Sequence, residues 1–192
     1  MRRMVVVALV LAGTALAVQA AREVKDYSAT IAEFKKIAVV APFFESAHAY
    51  AVFPTVGKGG LGIGGSHGKG QVYKGGKVIG FTSTSDVSIG LQAGGQAYGQ
   101  IIFFQDPAAL ERFTGGNFEF AASASAIAVQ AAAGATAGTE GVEASASSSK
   151  TADKAAAGAE YQNGMAVFTM AKGGLMYAAT IAGQKYTYKP IK

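Results

Sequence analysis

The sequence predicts an α+β fold: a glycine-rich, mostly antiparallel sheet curled into a barrel or sandwich, with short helices from the N-terminal part packed on it. Three observations lead there. Residues 23–50 carry apolar side chains at helical spacing. From Ala51 onward, glycines punctuate short runs of β-branched and aromatic residues, the texture of strands joined by turns. Glycine makes up 26 of 192 residues, against a usual share of about 7%, while proline numbers only four, which excludes collagen and proline-rich linkers.

The N-terminal stretch MRRMVVVALVLAGTALAVQAA has the parts of a secretory signal: Arg2 and Arg3, an apolar run from Met4 to about Leu16, then small residues. Cleavage is expected after Ala20. The apolar run is short of the roughly 20 residues that span a bilayer, which argues against a retained anchor. The paired arginines lack the rest of a twin-arginine signal, and no cysteine follows for lipid attachment. The expected organisation is therefore a signal peptide over 1–20 and one domain over 21–192, helical over 21–48 and β-rich over 49–192. The expected location is periplasmic or extracellular, peripheral to a membrane. Without Arg2 and Arg3, 15 basic residues face 12 acidic ones, a net charge of +3. That suits an anionic surface but is too mild and too scattered for nucleic acid.

Within 23–50, Tyr27, Ile31, Phe34 and Ala38 form one apolar face, Asp26 or Ser28 supplies a cap, and Pro42 breaks the segment into two helices, the second running to about His48. A helical hairpin packed on the sheet is one reading. The other makes Phe34, Lys35, Lys36, Phe43 and Phe44 an amphipathic edge that touches a membrane. Lys74-Gly75-Gly76-Lys77 reads as a hairpin turn. Asp106 reads as the N-cap of a short helix with Pro107 at its first position, ended by Gly115-Gly116. FEFAASASAIAVQ and the tail from Tyr161 read as strands, and 138–154 as a loop or mobile hairpin. AVFPTVGKGGLGIGGSHGKG (51–70) and AVFTMAKGGLMYAATIAGQK (166–185) align with a one-residue deletion before KGGL, which suggests two equivalent hairpins with Lys58 and Lys172 in matching places.

The chemical possibilities are few. Gly60-Leu61-Gly62-Ile63-Gly64-Gly65 formally matches G-x-G-x-x-G, but SHGKGQVYKGG follows, which opens no helix to face a pyrophosphate. The phosphate-loop pattern fails as well. There is no cysteine, and the two histidines, His48 and His67, come with no nucleophile motif. His67 sits among glycines in an expected turn, and Asp86 is the one acid that interrupts a strand pattern. A catalytic role, a metal site and a cofactor are not expected. What remains is surface chemistry. Lys58, Lys69, Lys74 and Lys77 lie among Leu61, Ile63, Tyr73 and Phe81. Lys172, Lys185, Lys189 and Lys192 lie among Leu175, Met176, Tyr177, Tyr186 and Tyr188. Lysine beside apolar side chains suits anionic headgroups above acyl chains, each basic residue contributing about 1 kcal/mol.

The blocks AYAVFPTVGKGGLGIGGSHGKGQVY, VSIGLQAGGQAYGQIIFF, LERFTGGNFEFAASASA and GGLMYAATIAGQKY, in that order over about 28–190, resemble the SYLF (Ysc84) domain. The resemblance implies a lipid-binding, non-catalytic domain, of which bacterial members stand alone and are exported. It implies an anionic phospholipid such as phosphatidylglycerol or cardiolipin as ligand, and leaves actin an implausible partner. Phe34, Lys35, Lys36, Phe43 and Phe44 occupy the place where some members bind lipid, by position rather than by motif. Lys58, Lys69, Lys74, Lys77 and Lys172 are the remaining expected lipid contacts. The alternative is a structural or assembly protein of the envelope that meets protein partners through the same face.

Overall fold

The computed structural model describes residues 23–121, 125–129, 159–172, 179–181 and 183–191. The expected signal peptide and the expected loop over 138–154 lie outside them, as do Leu175, Met176, Tyr177 and Lys192. The chain is mostly sheet, with helices α1 (Ser28–Lys35), α2 (Ala41–Ser46) and α3 (Pro107–Thr114). The strands are β1 (Ala49–Lys74), β2 (Lys77–Phe104), β3 (Asn117–Glu119), β4 (Ser125–Val129), β5 (Met165–Ala171), β6 (Ala179–Thr180) and β7 (Lys185–Pro190). The curled, mainly antiparallel sheet with a few short helices is the predicted fold class; β4 and β5 form its one parallel pair among the described strands.

One hairpin dominates. β1 and β2, of 26 and 28 residues, pair along their whole length and turn at Gly75-Gly76. Both glycines have positive φ, 57° and 76°, as a two-residue turn matched to strand twist requires. Strands this long are far outside the usual 3–10 residues. The expectation of several short strands separated by turns over 51–74 is corrected accordingly: residues 57–70 are one strand, and His67 lies in it rather than in a turn. The strand bends instead of ending. Register shifts between Phe53 and Val56, Gly60 and Gly62, and Val72 and Tyr73 mark the bulges that allow this.

The bend brings the second half of β1 onto its first half. A Cβ on Gly70 would lie 2.6 Å from the Val52 carbonyl and 2.7 Å from Phe53 Cδ1; one on Gly68 would lie 2.7 Å from Val56 Cγ2 and 3.1 Å from the Thr55 carbonyl. Gly80 stands in the same way against the ring of Tyr188. Glycine is needed at Gly68 and Gly70 because two sheet layers approach backbone to backbone there, and at Gly80 because the Tyr188 ring of the neighbouring strand lies over it. Strand alternation then assigns the faces. Phe53, Val56, Tyr98, Ile102, Phe104, Val167 and Tyr186 form an inner core between the two halves, closed at one end by Leu110 and Phe113 of α3. Val52, Ile101, Phe103 and Phe168 point to the opposite face, where Phe34, Val40 and Phe43 from α1, α2 and their connecting turn cover them.

The local signals hold in the helices. The Asp106 carboxylate accepts the Ala109 amide at 2.7 Å, and Pro107 opens α3. Asp26 accepts the Ser28 amide at 2.8 Å at the start of α1. Helix α1 ends at Lys35, earlier than its periodicity suggests, so Ala38 is exposed in the connecting turn. Pro42, which has no amide hydrogen, is tolerated because it sits in the first turn of α2.

The internal repeat is also modified. Ala51–Phe53 and Ala166–Phe168 flank the same part of β2, one on each edge, but out of step: Ala51 lies opposite Ile102 and Ala166 opposite Phe103. One residue of offset reverses the faces. Phe53 therefore enters the inner core and Phe168 the helix-covered core.

Replacing Gly70 with alanine is expected to lower stability by about 1–3 kcal/mol, the usual cost of overpacking. Gly57, whose added Cβ would meet nothing within 4 Å, should accept alanine with a change within about 0.5 kcal/mol. Urea denaturation midpoints of the two variants check this, and equal losses would contradict the back-folded packing.

Candidate functional site

The phenylalanines proposed for a membrane-touching edge are turned inward. Phe34 is fully buried, and Phe43 is buried in contact with Phe103, Tyr161 and Phe168 at ring separations of 5.0–5.5 Å. Their helical spacing reflects packing on the sheet, because α1 and α2 are too short to stand without an apolar face to cover. Phe44 is half-buried against Tyr50 and Phe103, and Lys35 Nζ lies 5.2 Å from its ring centre in a cation–π contact. Only Lys35 and Lys36 of that predicted group are exposed.

The lysines do not form one patch. Lys74 and Lys77 are exposed opposite each other at the hairpin turn. Lys69 is exposed between Gly68 and Gly70, and because those two face the first half of β1, Lys69 points away from the molecule. Lys58 lies opposite Gln96 and is half-buried. Lys172 is exposed, its amide donating to the Ala97 carbonyl at 2.8 Å and its Nζ to Thr55 Oγ1 at 3.1 Å. Since Tyr98 belongs to the inner core, the neighbouring Ala97 and Lys172 face the helix side. Lys58 and Lys172 are thus not equivalent, contrary to the repeat. Among the described residues the only ion pair joins Lys185 Nζ and Glu119 Oε2 at 3.8 Å. Lys35, Lys36, Lys58, Lys69, Lys74, Lys77 and Lys172 therefore have no carboxylate within 4 Å there.

The outer face of the folded-back half is a polar surface that composition alone does not reveal. Register places Lys69, Ser83, Thr187 and Asn117 in one cross-strand row, and His67, Ser85, Lys185 and Glu119 in the next. Ser83 Oγ and Thr187 Oγ1 share a hydrogen bond of 2.7 Å. The signal was present in the tail as KYTYK, whose alternation sends its lysines and Thr187 outward and Tyr186 into the core.

Ser66 pairs with Asp86 and His67 with Ser85, so alternation puts His67 and Asp86 on opposite faces. The Asp86 carboxylate accepts the Ser66 amide at 2.8 Å. No described group of three or more acidic or histidine residues is placed to hold a metal ion. An open cleft of about 920 Å³ lies beside the turn from α1 to α2, lined by Ile37, Val39, Pro42, Phe43 and Tyr161. Its one charged lining residue among those described is Glu160, which disfavours an anionic headgroup.

Inside the fold, four side chains from two strands and a loop form a neutral network. Gln184 Nε2 donates to the Tyr98 hydroxyl at 2.8 Å, Gln100 Nε2 donates to Gln184 Oε1 at 3.2 Å, and the Tyr186 hydroxyl donates to Gln184 Oε1, with Gln100 Oε1 also in reach at 3.2 Å. Burial pushes the Tyr186 hydroxyl far above its ordinary pKa of 10.0 and raises Tyr98 as well. These groups hold the layers together rather than offer a reactive centre.

Residues 85–189, more than half the chain, match the family described as Ysc84, a Las17-binding protein actin regulator. The matched stretch begins in the middle of β2, after the block around Val52–Gly60. No curated protein matches the chain.

Because the folded pKa of Tyr186 lies above its unfolded value, the stability this group contributes is intact below about pH 10 and falls as pH rises beyond it, by about 1.4 kcal/mol per pH unit. Tyr186→Phe should cost about 1–3 kcal/mol at neutral pH by leaving the Gln100 carbonyl without a donor, and should flatten the alkaline loss. Urea titrations between pH 8 and pH 12 test both; an unchanged alkaline slope in the variant would contradict the assignment.

Proposed function

The chain belongs to the Ysc84 family, and from that premise we propose that it binds anionic phospholipid, without catalysis, at a membrane surface of the bacterial envelope. The observation that carries this reading is the exposed positive charge: lysines with no carboxylate within 4 Å among the described residues. Each such lysine near an anionic bilayer contributes about 1 kcal/mol. The family is one of binding domains, which supports a non-catalytic role. The partners its description names are not carried over to an exported bacterial chain.

Export belongs to the same reading. Arg2, Arg3 and the apolar run to Leu16 support a cleaved signal, and the product would start near Ala21 and face the periplasm or the exterior. Cell fractionation with N-terminal sequencing should find the protein outside the cytoplasm, beginning at Ala21. A cytoplasmic protein retaining Met1–Arg3 would reject export.

Purified from the exported fraction, the chain should float with vesicles of phosphatidylglycerol in phosphatidylcholine and not with phosphatidylcholine alone. Binding should weaken strongly between about 0.1 M and about 1 M salt, over which the Debye length falls from about 10 Å to about 3 Å. Binding indifferent to lipid charge and salt would turn the reading towards an assembly protein with protein partners.

A further inference from the structure

We infer that the headgroup contact is made by one three-lysine site on the outer face of the folded-back half, formed by Lys69, Lys185 and Lys189 around Ser83 and Thr187. This rests on the lipid-binding reading and assigns it a place. Lys69 on β1 lies opposite Ser83 on β2, which lies opposite Thr187 on β7. Lys185 and Lys189 stand two residues to either side of Thr187 on the same strand, so all three lysines emerge from one face. With strands about 4.8 Å apart and a rise of about 3.4 Å per residue, their Cα atoms form a nearly equilateral triangle with sides of about 12–14 Å. At its centre the Ser83 and Thr187 hydroxyls share one hydrogen bond of 2.7 Å, which leaves one hydroxyl proton free to donate outward.

This arrangement fits the phosphodiester of a phospholipid headgroup in a membrane. Three flexible ammonium groups can lean inward over the hydroxyl pair, each supplying several donors. All three project from the same face of three adjacent paired strands, the side a bilayer surface would meet. All three lysines are exposed. The one carboxylate among the rows named, Glu119, sits at the edge beyond Lys185 and holds that lysine only loosely, at 3.8 Å. By contrast, Lys35, Lys36 and Lys172 lie on or near the helix side and do not surround a common donor pair.

The test compares two charge-matched variants of the exported chain on vesicles of phosphatidylglycerol in phosphatidylcholine. At about fivefold per lysine, Lys69→Gln/Lys185→Gln/Lys189→Gln should weaken binding about a hundredfold. Lys35→Gln/Lys36→Gln/Lys172→Gln should weaken it less than about fivefold. A further variant, Thr187→Val, keeps every charge and should still weaken binding measurably. Circular dichroism and melting curves confirm that each variant folds; all the substituted side chains are exposed. If the unsubstituted chain binds and the second triple variant loses as much as the first, the triangle is wrong while the lipid reading stands. If the unsubstituted chain ignores anionic vesicles, both fall together.

Discussion

The close approach of two layers of one hairpin at Gly68 and Gly70 is the constraint on which the rest of the structure depends. Gly68 and Gly70 lie so close to the Val52–Val56 backbone that even a methyl group would collide with main-chain atoms. That contact folds a 26-residue strand back on itself. It also fixes which residues face inward: with glycine at the closest approach, the bulk that fills the core must come from the flanks. Phe53, Tyr186 and Phe113 supply it, in tilted and edge-on ring pairs with centroids 5.3–5.6 Å apart. Glycine at the closest approach and large rings on its flanks fill the interior without a disulfide, and the chain contains no cysteine.

The same contact makes the second core necessary. Once the inner face of the sheet is covered by its own folded-back half, the outer face of the first half still carries Val52, Ile101, Phe103 and Phe168. The short helices cover it, and this is why Phe34 and Phe43 are used for packing. A cationic Lys35 remains above Phe44 at the edge. The interior is not uniformly apolar. Gln100, Gln184, Tyr98 and Tyr186 satisfy one another, while Thr82, Thr84 and Thr169 bury hydroxyls without a partner among the described residues. A polar seam of this kind is specific in register, because a one-residue slip of β7 would remove Tyr186 from its partners.

Function then falls to what the packing leaves outside. The back-folded half turns one face inward, with Gly68, Gly70, Thr82, Thr84 and Tyr186, and the other outward, with Lys69, Ser83, Lys185 and Thr187. Alternation along three adjacent strands turns a scattered set of lysines into an ordered group, although the residues come from positions more than a hundred apart in sequence. The same alternation puts His67 and Asp86 on opposite faces.

Several features were determined by the sequence alone because their causes are local. Gly75-Gly76 demands positive φ, Asp106-Pro107 caps and starts a helix, and glycine-punctuated β-branched runs specify a sheet; all three are found as read. The family, too, was legible in ordered blocks of sequence. What only the tertiary structure decided was non-local. That residues 57–70 form one bent strand rather than several turns depends on the backbone pressed against Gly68 and Gly70, which no local pattern encodes. That Phe34 and Phe43 are buried depends on an apolar sheet face lying beneath them; periodicity identifies an apolar stripe but not what covers it. That Lys69 shares a face with Lys185 and Lys189, and not with Lys172, depends on the register of strands brought together by folding, and a single residue of offset reverses the answer.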